Sequence, residues 1–202
     1  LYNSLASLYR ASKYPYYPTK VAELFHYLNS IVIKIGFQNF LRDLTKLCLT
    51  ASRKKIEITS YFRSIRNAFD NGASWNEVIE SAEYLIQQNP SNFNHIDDAL
   101  FRVSAQAWKE LSPLEVITSI EQLLKSSGKY FQEVLIGFNY GLEFLGHGVT
   151  WKNLIQDLPK MAKVAKGESR AMFRYGLSGI NKYLFVGLTW AQVVNVLPKL
   201  AR

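Results

Sequence analysis

Ser74-Trp75-Asn76-Glu77-Val78-Ile79 decides how this chain is read, because it comes back three times. It returns as Ser112-Pro113-Leu114-Glu115-Val116-Ile117, as Thr150-Trp151-Lys152-Asn153-Leu154-Ile155, and as Thr189-Trp190-Ala191-Gln192-Val193-Val194. With the Ser or Thr as origin the spacings are 38, 38 and 39 residues. Seven residues after each Trp or Pro stands another apolar side chain, Ala82, Ile120, Leu158 and Leu197. A register kept this closely marks tandem repeats.

Each part of the signature has a physical reason. A Ser or Thr at the N-cap accepts a hydrogen bond from an orphan amide of the first turn. Glu77, Glu115 and Gln192 stand three residues later and reach back to complete a capping box, for which the shorter Asn153 is the poorer partner. Pro113 occupies the first helical position, where a missing N–H costs nothing. Gly72, Gly148 and Gly187 precede the caps and suit the end of a preceding helix. One period upstream, Phe37, Phe40, Leu41 and Leu44 match Trp75, Val78, Ile79 and Ala82, with Gly36 in the cap position.

Apolar spacing of three and four predicts two amphipathic helices per repeat. The first helices fall near 37–51, 75–88, 113–126, 151–165 and 190–201, the second near 55–70, 93–109, 129–146 and 169–186. Residues 19–34 read as the second helix of a still earlier hairpin, and 1–12 as its partner or a capping helix. No strand-like alternation appears. The expectation is an all-α fold, an α-solenoid of hairpins in one domain over 1–202, with repeats at 1–35, 36–73, 74–111, 112–149, 150–188 and a partial 189–202.

Of the residues, 48% are hydrophobic, enough for a sizeable core. Cys48 is the lone cysteine and sits in an apolar segment, which excludes an internal disulfide or a cysteine-built zinc site. No apolar run approaches a membrane span. The chain opens at Leu1 without a recognisable presequence, as a fragment or processed product would. The net charge of +8 is uneven. Residues 1–60 hold nine Lys/Arg against three Asp/Glu, residues 61–160 eight against twelve, and residues 161–202 seven against one.

The cadence of Leu1-Tyr2-Asn3-Ser4-Leu5-Ala6-Ser7-Leu8-Tyr9-Arg10-Ala11, of Ala22-Glu23-Leu24-Phe25-His26-Tyr27-Leu28 and of Leu44-Thr45-Lys46-Leu47-Cys48-Leu49-Thr50-Ala51 resembles the octotricopeptide and heptatricopeptide repeats of organellar RNA-binding proteins. Such repeats also occur beside the kinase-like and RAP domains of mitochondrial RNA-processing factors. The chain departs from the octotricopeptide pattern in its proline-rich turn, reduced here to Pro113. The resemblance implies RNA binding, in organellar RNA processing or as a subunit of a divergent organellar ribosome. It implies a mitochondrial or other organellar location, with the cytoplasm as the alternative.

Trp75, Trp151 and Trp190 could stack bases, but Pro113 and Phe37 share their column, which favours packing between repeats. Trp108 lies outside the column and reads as packing too. His26, His95 and His147 fall in different repeats without partners at ligand spacing, so no metal or catalytic role is expected. No phosphate loop, nucleophile triad or cofactor signature is present. The basic turns carry the functional signal: Arg53, Lys54 and Lys55 in one repeat, Lys125 and Lys129 two repeats on, and Lys163, Lys166 and Arg170 in the next. Only the turn from Gln88 to Asn92 lacks them, while the opposite edge holds Asp70, Glu110 and His147. Lys and Arg recurring at one edge suit a phosphate backbone, although helix C-termini favour them in any case. Two functions follow: an RNA-binding helical-repeat protein without enzymatic activity, working among other protein subunits, or a protein–protein scaffold.

Overall fold

The computed structural model describes residues 28–164 and 170–200. Among these the protein is helical without a strand, and only an isolated bridge joins Leu145 to Val149. Residues 28–35 are helical, and Gly36 separates them from α1 (Phe37–Arg53). There follow α2 (Tyr61–Asp70), α3 (Trp75–Gln88), α4 (Phe93–Phe101), α5 (Ala105–Glu110) and α6 (Pro113–Ser127). A 3-10 turn, Gly128–Tyr130, leads into α7 (Phe131–Leu142), then α8 (Trp151–Val164), α9 (Arg170–Ser178), α10 (Ile180–Phe185) and α11 (Trp190–Leu200). The expected partner helix at 1–12 lies outside the described residues.

The five first helices start where the signature places them, at Phe37, Trp75, Pro113, Trp151 and Trp190. Their caps explain why. Ser74 Oγ accepts the Glu77 amide at 3.3 Å while Glu77 Oε2 accepts the Ser74 amide at 2.9 Å. Thr189 and Gln192 repeat the exchange at 3.3 and 2.8 Å. Asn153, the shorter partner, still closes its box with Thr150 at 3.1 Å in both directions. Gly36 caps α1 with φ +82 and ψ 141, a backbone shape that L residues rarely adopt, so conformation and not capping chemistry requires the glycine.

The second helices depart from expectation, each for a local reason. The 55–70 segment starts only at Tyr61, because Lys55 takes a left-handed φ of 58 that ends the previous helix. The 93–109 segment breaks after Phe101, where Ser104 adopts an extended conformation and caps α5 by accepting the Ala107 amide. The 129–146 segment leaves the helix after Leu142 and turns through Gly146 and Gly148, both at positive φ. The 169–186 segment divides at Gly179. Ser and Gly at these places favour caps and turns over helix continuation.

The described fold comprises two compact units. The first holds the chain up to Phe101 together with Ser112–Leu114, the second Arg102–Leu111 together with Glu115 onward. In the first, α1 packs on α3 and α2 packs on both α3 and α4. Phe40, Leu44, Leu47, Leu85, Phe93 and Ile96 fill its core at 1% exposure or less. In the second, α8 packs on α7 and α11, α9 packs on α7, α10 and α11, and Phe138, Leu154, Leu158 and Leu177 are fully buried. Equivalent helices of successive repeats therefore lie against each other within each unit. Each such Leu, Ile or Phe stabilises the fold by roughly 1.5–3 kcal/mol. Gly137 lets α7 come close to both α8 and α9: a Cβ there would meet Leu177 Cδ2 at 2.7 Å and Leu158 Cδ2 at 3.1 Å.

Candidate nucleic-acid interface

The tryptophan column is a packing device. Trp75 and Trp190 are buried, and their indole Nε1 groups donate to Asp43 Oδ2 at 2.9 Å and Asp157 Oδ2 at 3.0 Å. Asp43 stands six residues after Phe37, and Asp157 six after Trp151, so one bond recurs between neighbouring repeats at two places. Trp75 also lies against Phe40 and edge-on to Phe69. Trp151 is half-buried and edge-on to Phe138 with centroids 5.4 Å apart. The burial of Trp75 and Trp190 leaves their rings closed to a base. Burial raises the pKa of Asp43, but hydrogen bonds from Arg42 and Trp75 and the charges of Arg42 and Lys46 outweigh it and hold the carboxyl below its usual range. Asp157 behaves alike: bonds from Trp190, Lys160 and Asn153 overcome the effect of burial.

Three of the sequence-derived lysines come together in the second unit. Lys125 in the last turn of α6, Lys129 in the 3-10 turn and Lys163 in the last turn of α8 line one cleft of about 670 Å³, with Ser126, Ser127, Gly128 and Tyr130. The convergence follows from the repeat. Lys125 and Lys163 are 38 residues apart, at the same position of consecutive first helices. Gly128, at φ +54, turns the chain sharply enough to bring Lys129 back beside Lys125. The turn is fixed from below: Ser127 is buried with its hydroxyl donating to the Leu123 carbonyl, and Tyr130 is buried with Lys129 Nζ 5.2 Å above its ring.

All three lysines are exposed. Lys125 pairs with Glu121 one helical turn back, a partnership between a lysine 70% exposed and a glutamate 12% exposed. An i,i+4 pair of this kind on a helix contributes only a few tenths of a kcal/mol. Lysine ammoniums on flexible stems suit phosphates as point charges, without the fixed fork of arginine. The cleft can therefore neutralise phosphate groups without reading bases.

Arg53, Lys54 and Lys55 are not among the residues that line this cleft. Arg53 ends α1, Lys54 caps it and Lys55 follows, all exposed and all in the first unit. Arg170 opens α9. Lys166 lies outside the described residues. The serines of the cleft carry no sequence signal beyond their place in the run Lys125-Ser126-Ser127-Gly128-Lys129, between two of the lysines.

The remaining chemistry is sparse. His95 is half-buried, His147 is exposed and His26 lies outside the described residues. Among the described residues no three His, Cys, Asp or Glu side chains converge as metal ligands. Cys48 is half-buried, and removal from water pushes its thiol up to about 12, which leaves almost no thiolate at neutral pH. No described helix is long and apolar enough to cross a membrane. Comparison with family models, with curated proteins and with solved structures returns no match.

Proposed function

We propose that this chain is an RNA-binding α-solenoid of tandem helical hairpins, a non-catalytic subunit of an organellar ribonucleoprotein. The observation that carries the reading is the cleft in which Lys125 and Lys163, equivalent residues of consecutive repeats, stand with Lys129. Packing of α7 on α9 and of α8 on α11, equivalent helices one repeat apart, supports the solenoid. The resemblance to octotricopeptide-type repeats supports RNA as the polyanion and an organelle as its setting. In this reading the lysines of the cleft neutralise a phosphate backbone, and Arg53, Lys54 and Lys55 are phosphate contacts of the first unit taken by itself.

Reversing Lys125, Lys129 and Lys163 together to Glu tests it. The variant should weaken binding to every single-stranded RNA by a similar factor. The slope of log affinity against log salt should flatten by roughly 0.7 for each phosphate that is no longer neutralised. Lys109→Glu, an exposed cation away from the cleft, should change neither. Fluorescence titration at several salt concentrations reads both quantities. Unchanged affinity in the triple variant, or no RNA affinity at low salt, would leave protein scaffolding as the function.

A further inference from the structure

The repeat supplies its own control for the lysine cleft, because equivalent positions can be compared within one chain. Counted from the cap, Gln87 and Ser91 take the places of Lys125 and Lys129 in the preceding repeat. One repeat earlier the same places hold Leu49 and Arg53, and one repeat later Lys163 and Gly167. Only the 112–149 repeat has a cation at both, and Lys163 of the next first helix lines the same cleft. Three ammonium groups therefore gather at one place, where the other turns offer fewer at these positions. Such a cluster suits one highly charged group more than a strand of evenly spaced single charges.

The lining narrows the occupant further. Tyr130 is buried with Lys129 Nζ over its ring, so it gives a base no open face to stack on. Ser127 commits its hydroxyl to the Leu123 carbonyl, whereas Ser126 is exposed between Lys125 and Lys129 and adds a donor. Among the described residues that line the cleft there is no carboxylate and no histidine. Glu121, which pairs with Lys125, is 12% exposed. Lys125 and Lys163 lie in the last turns of α6 and α8, whose negative dipole ends work against an anion. The ammoniums must therefore supply the attraction. An interior phosphodiester carries one negative charge, and a phosphomonoester about 1.5–2 at neutral pH. Coulomb attraction scales with the product of the charges, so a triad of cations favours the monoester.

We propose that the cleft takes the terminal phosphomonoester of an RNA strand, with Lys125, Lys129 and Lys163 as its counter-cations and the Ser126 hydroxyl as a further donor. The inference rests on the RNA reading and goes beyond it by making a strand end the preferred ligand. The test uses the full chain and internally labelled oligouridine with a 5′-phosphate, a 3′-phosphate or hydroxyls at both ends. A hydroxyl-ended strand longer by ~two nucleotides matches the charge of the monoester with diesters. At neutral pH and low salt a phosphorylated strand should bind at least about tenfold more tightly than that longer strand. The advantage should fade as pH falls through about 6, where the monoester takes up a proton, and the hydroxyl-ended strands should change far less. Lys163→Gln should cost the phosphorylated strand at least about fivefold more than the hydroxyl-ended one. Its helix content should not change, since Lys163 is exposed. Equal affinity for phosphorylated and hydroxyl-ended strands, both weakened by the triple reversal to Glu, would overturn the strand-end assignment and leave the RNA reading standing. An advantage that survives Lys163→Gln would also overturn it, by placing the monoester elsewhere. No binding of any strand at low salt would overturn both readings. A phosphoserine peptide that binds as tightly as the phosphorylated strand would overturn RNA as the source of the phosphate.

Discussion

Asp43 and Asp157 each hold an indole N–H from a tryptophan 32 or 33 residues further along the chain. Both carboxyls have a depressed folded pKa. Their stabilisation is therefore complete above the unfolded carboxylate value of about 3.9 and is lost as pH falls through the folded value. Acid denaturation of Asp157→Asn should accordingly be less steep than that of the parent, with lower stability at neutral pH. Asp97 works in the opposite sense: burial raises its pKa against the bonds from Ser60 and Ser64, so its unfavourable contribution disappears as pH falls. The indole Nε1 of Trp151 is buried without a hydrogen-bond partner. The register places Ser119 where Asp43 and Asp157 stand, six residues after the start of its helix. Ser119→Asp should therefore stabilise the fold by about 1 kcal/mol in denaturant titration, and a drop in stability would mean that the column is not equivalent there. Gly36→Ser supplies a favoured cap residue but should destabilise, because φ +82 strains any side chain.

Ser74→Ala and Thr189→Ala each remove half of a capping box from a first helix and should cost roughly 0.5–2 kcal/mol in chemical denaturation. The first helices are legible in the sequence because their starts are written in short-range chemistry: a cap, its partner three residues on, and an apolar pair. The second helices are legible as helices but not as broken ones. Their breaks at Ser104 and Gly179 lie inside apolar periodicity that continues past them, and a 3.6-residue pattern does not record where the axis changes direction. Lys55 is unreadable for a related reason, since nothing in a lysine announces a positive φ. Gly137 falls in the same class, for its sequence context shows a weak helix former and only the fold shows what passes over it. Gly137→Ala should destabilise the second unit despite the better helix propensity of alanine. An overpacking cost of about 1–3 kcal/mol against the fully buried Leu177 and Leu158 exceeds a propensity gain of about 1 kcal/mol. Thermal unfolding of the single variant measures the balance.

At the scale of the molecule, the charge pattern shows how much of the candidate site a sequence can reveal. Recurrent lysines at equivalent turns are visible as a period, and that period is the reason Lys125 and Lys163 share a cleft. The depth of the cleft is not visible, because it depends on the 3-10 turn at Gly128–Tyr130. The exposure of Phe185 and Val186 is hidden for a different reason: in the sequence they look like the end of an ordinary buried stripe. The indole bonds between repeats also make the fold separable by spectroscopy. In a proton–nitrogen spectrum the Trp75 and Trp190 side-chain resonances should shift as their aspartates titrate, while those of Trp108 and Trp151, with no such acceptor, stay in place. Trp75 reports the α1–α3 junction and Trp190 the α8–α11 junction. The protein therefore carries native, residue-specific probes of whether its repeats come apart together or one at a time.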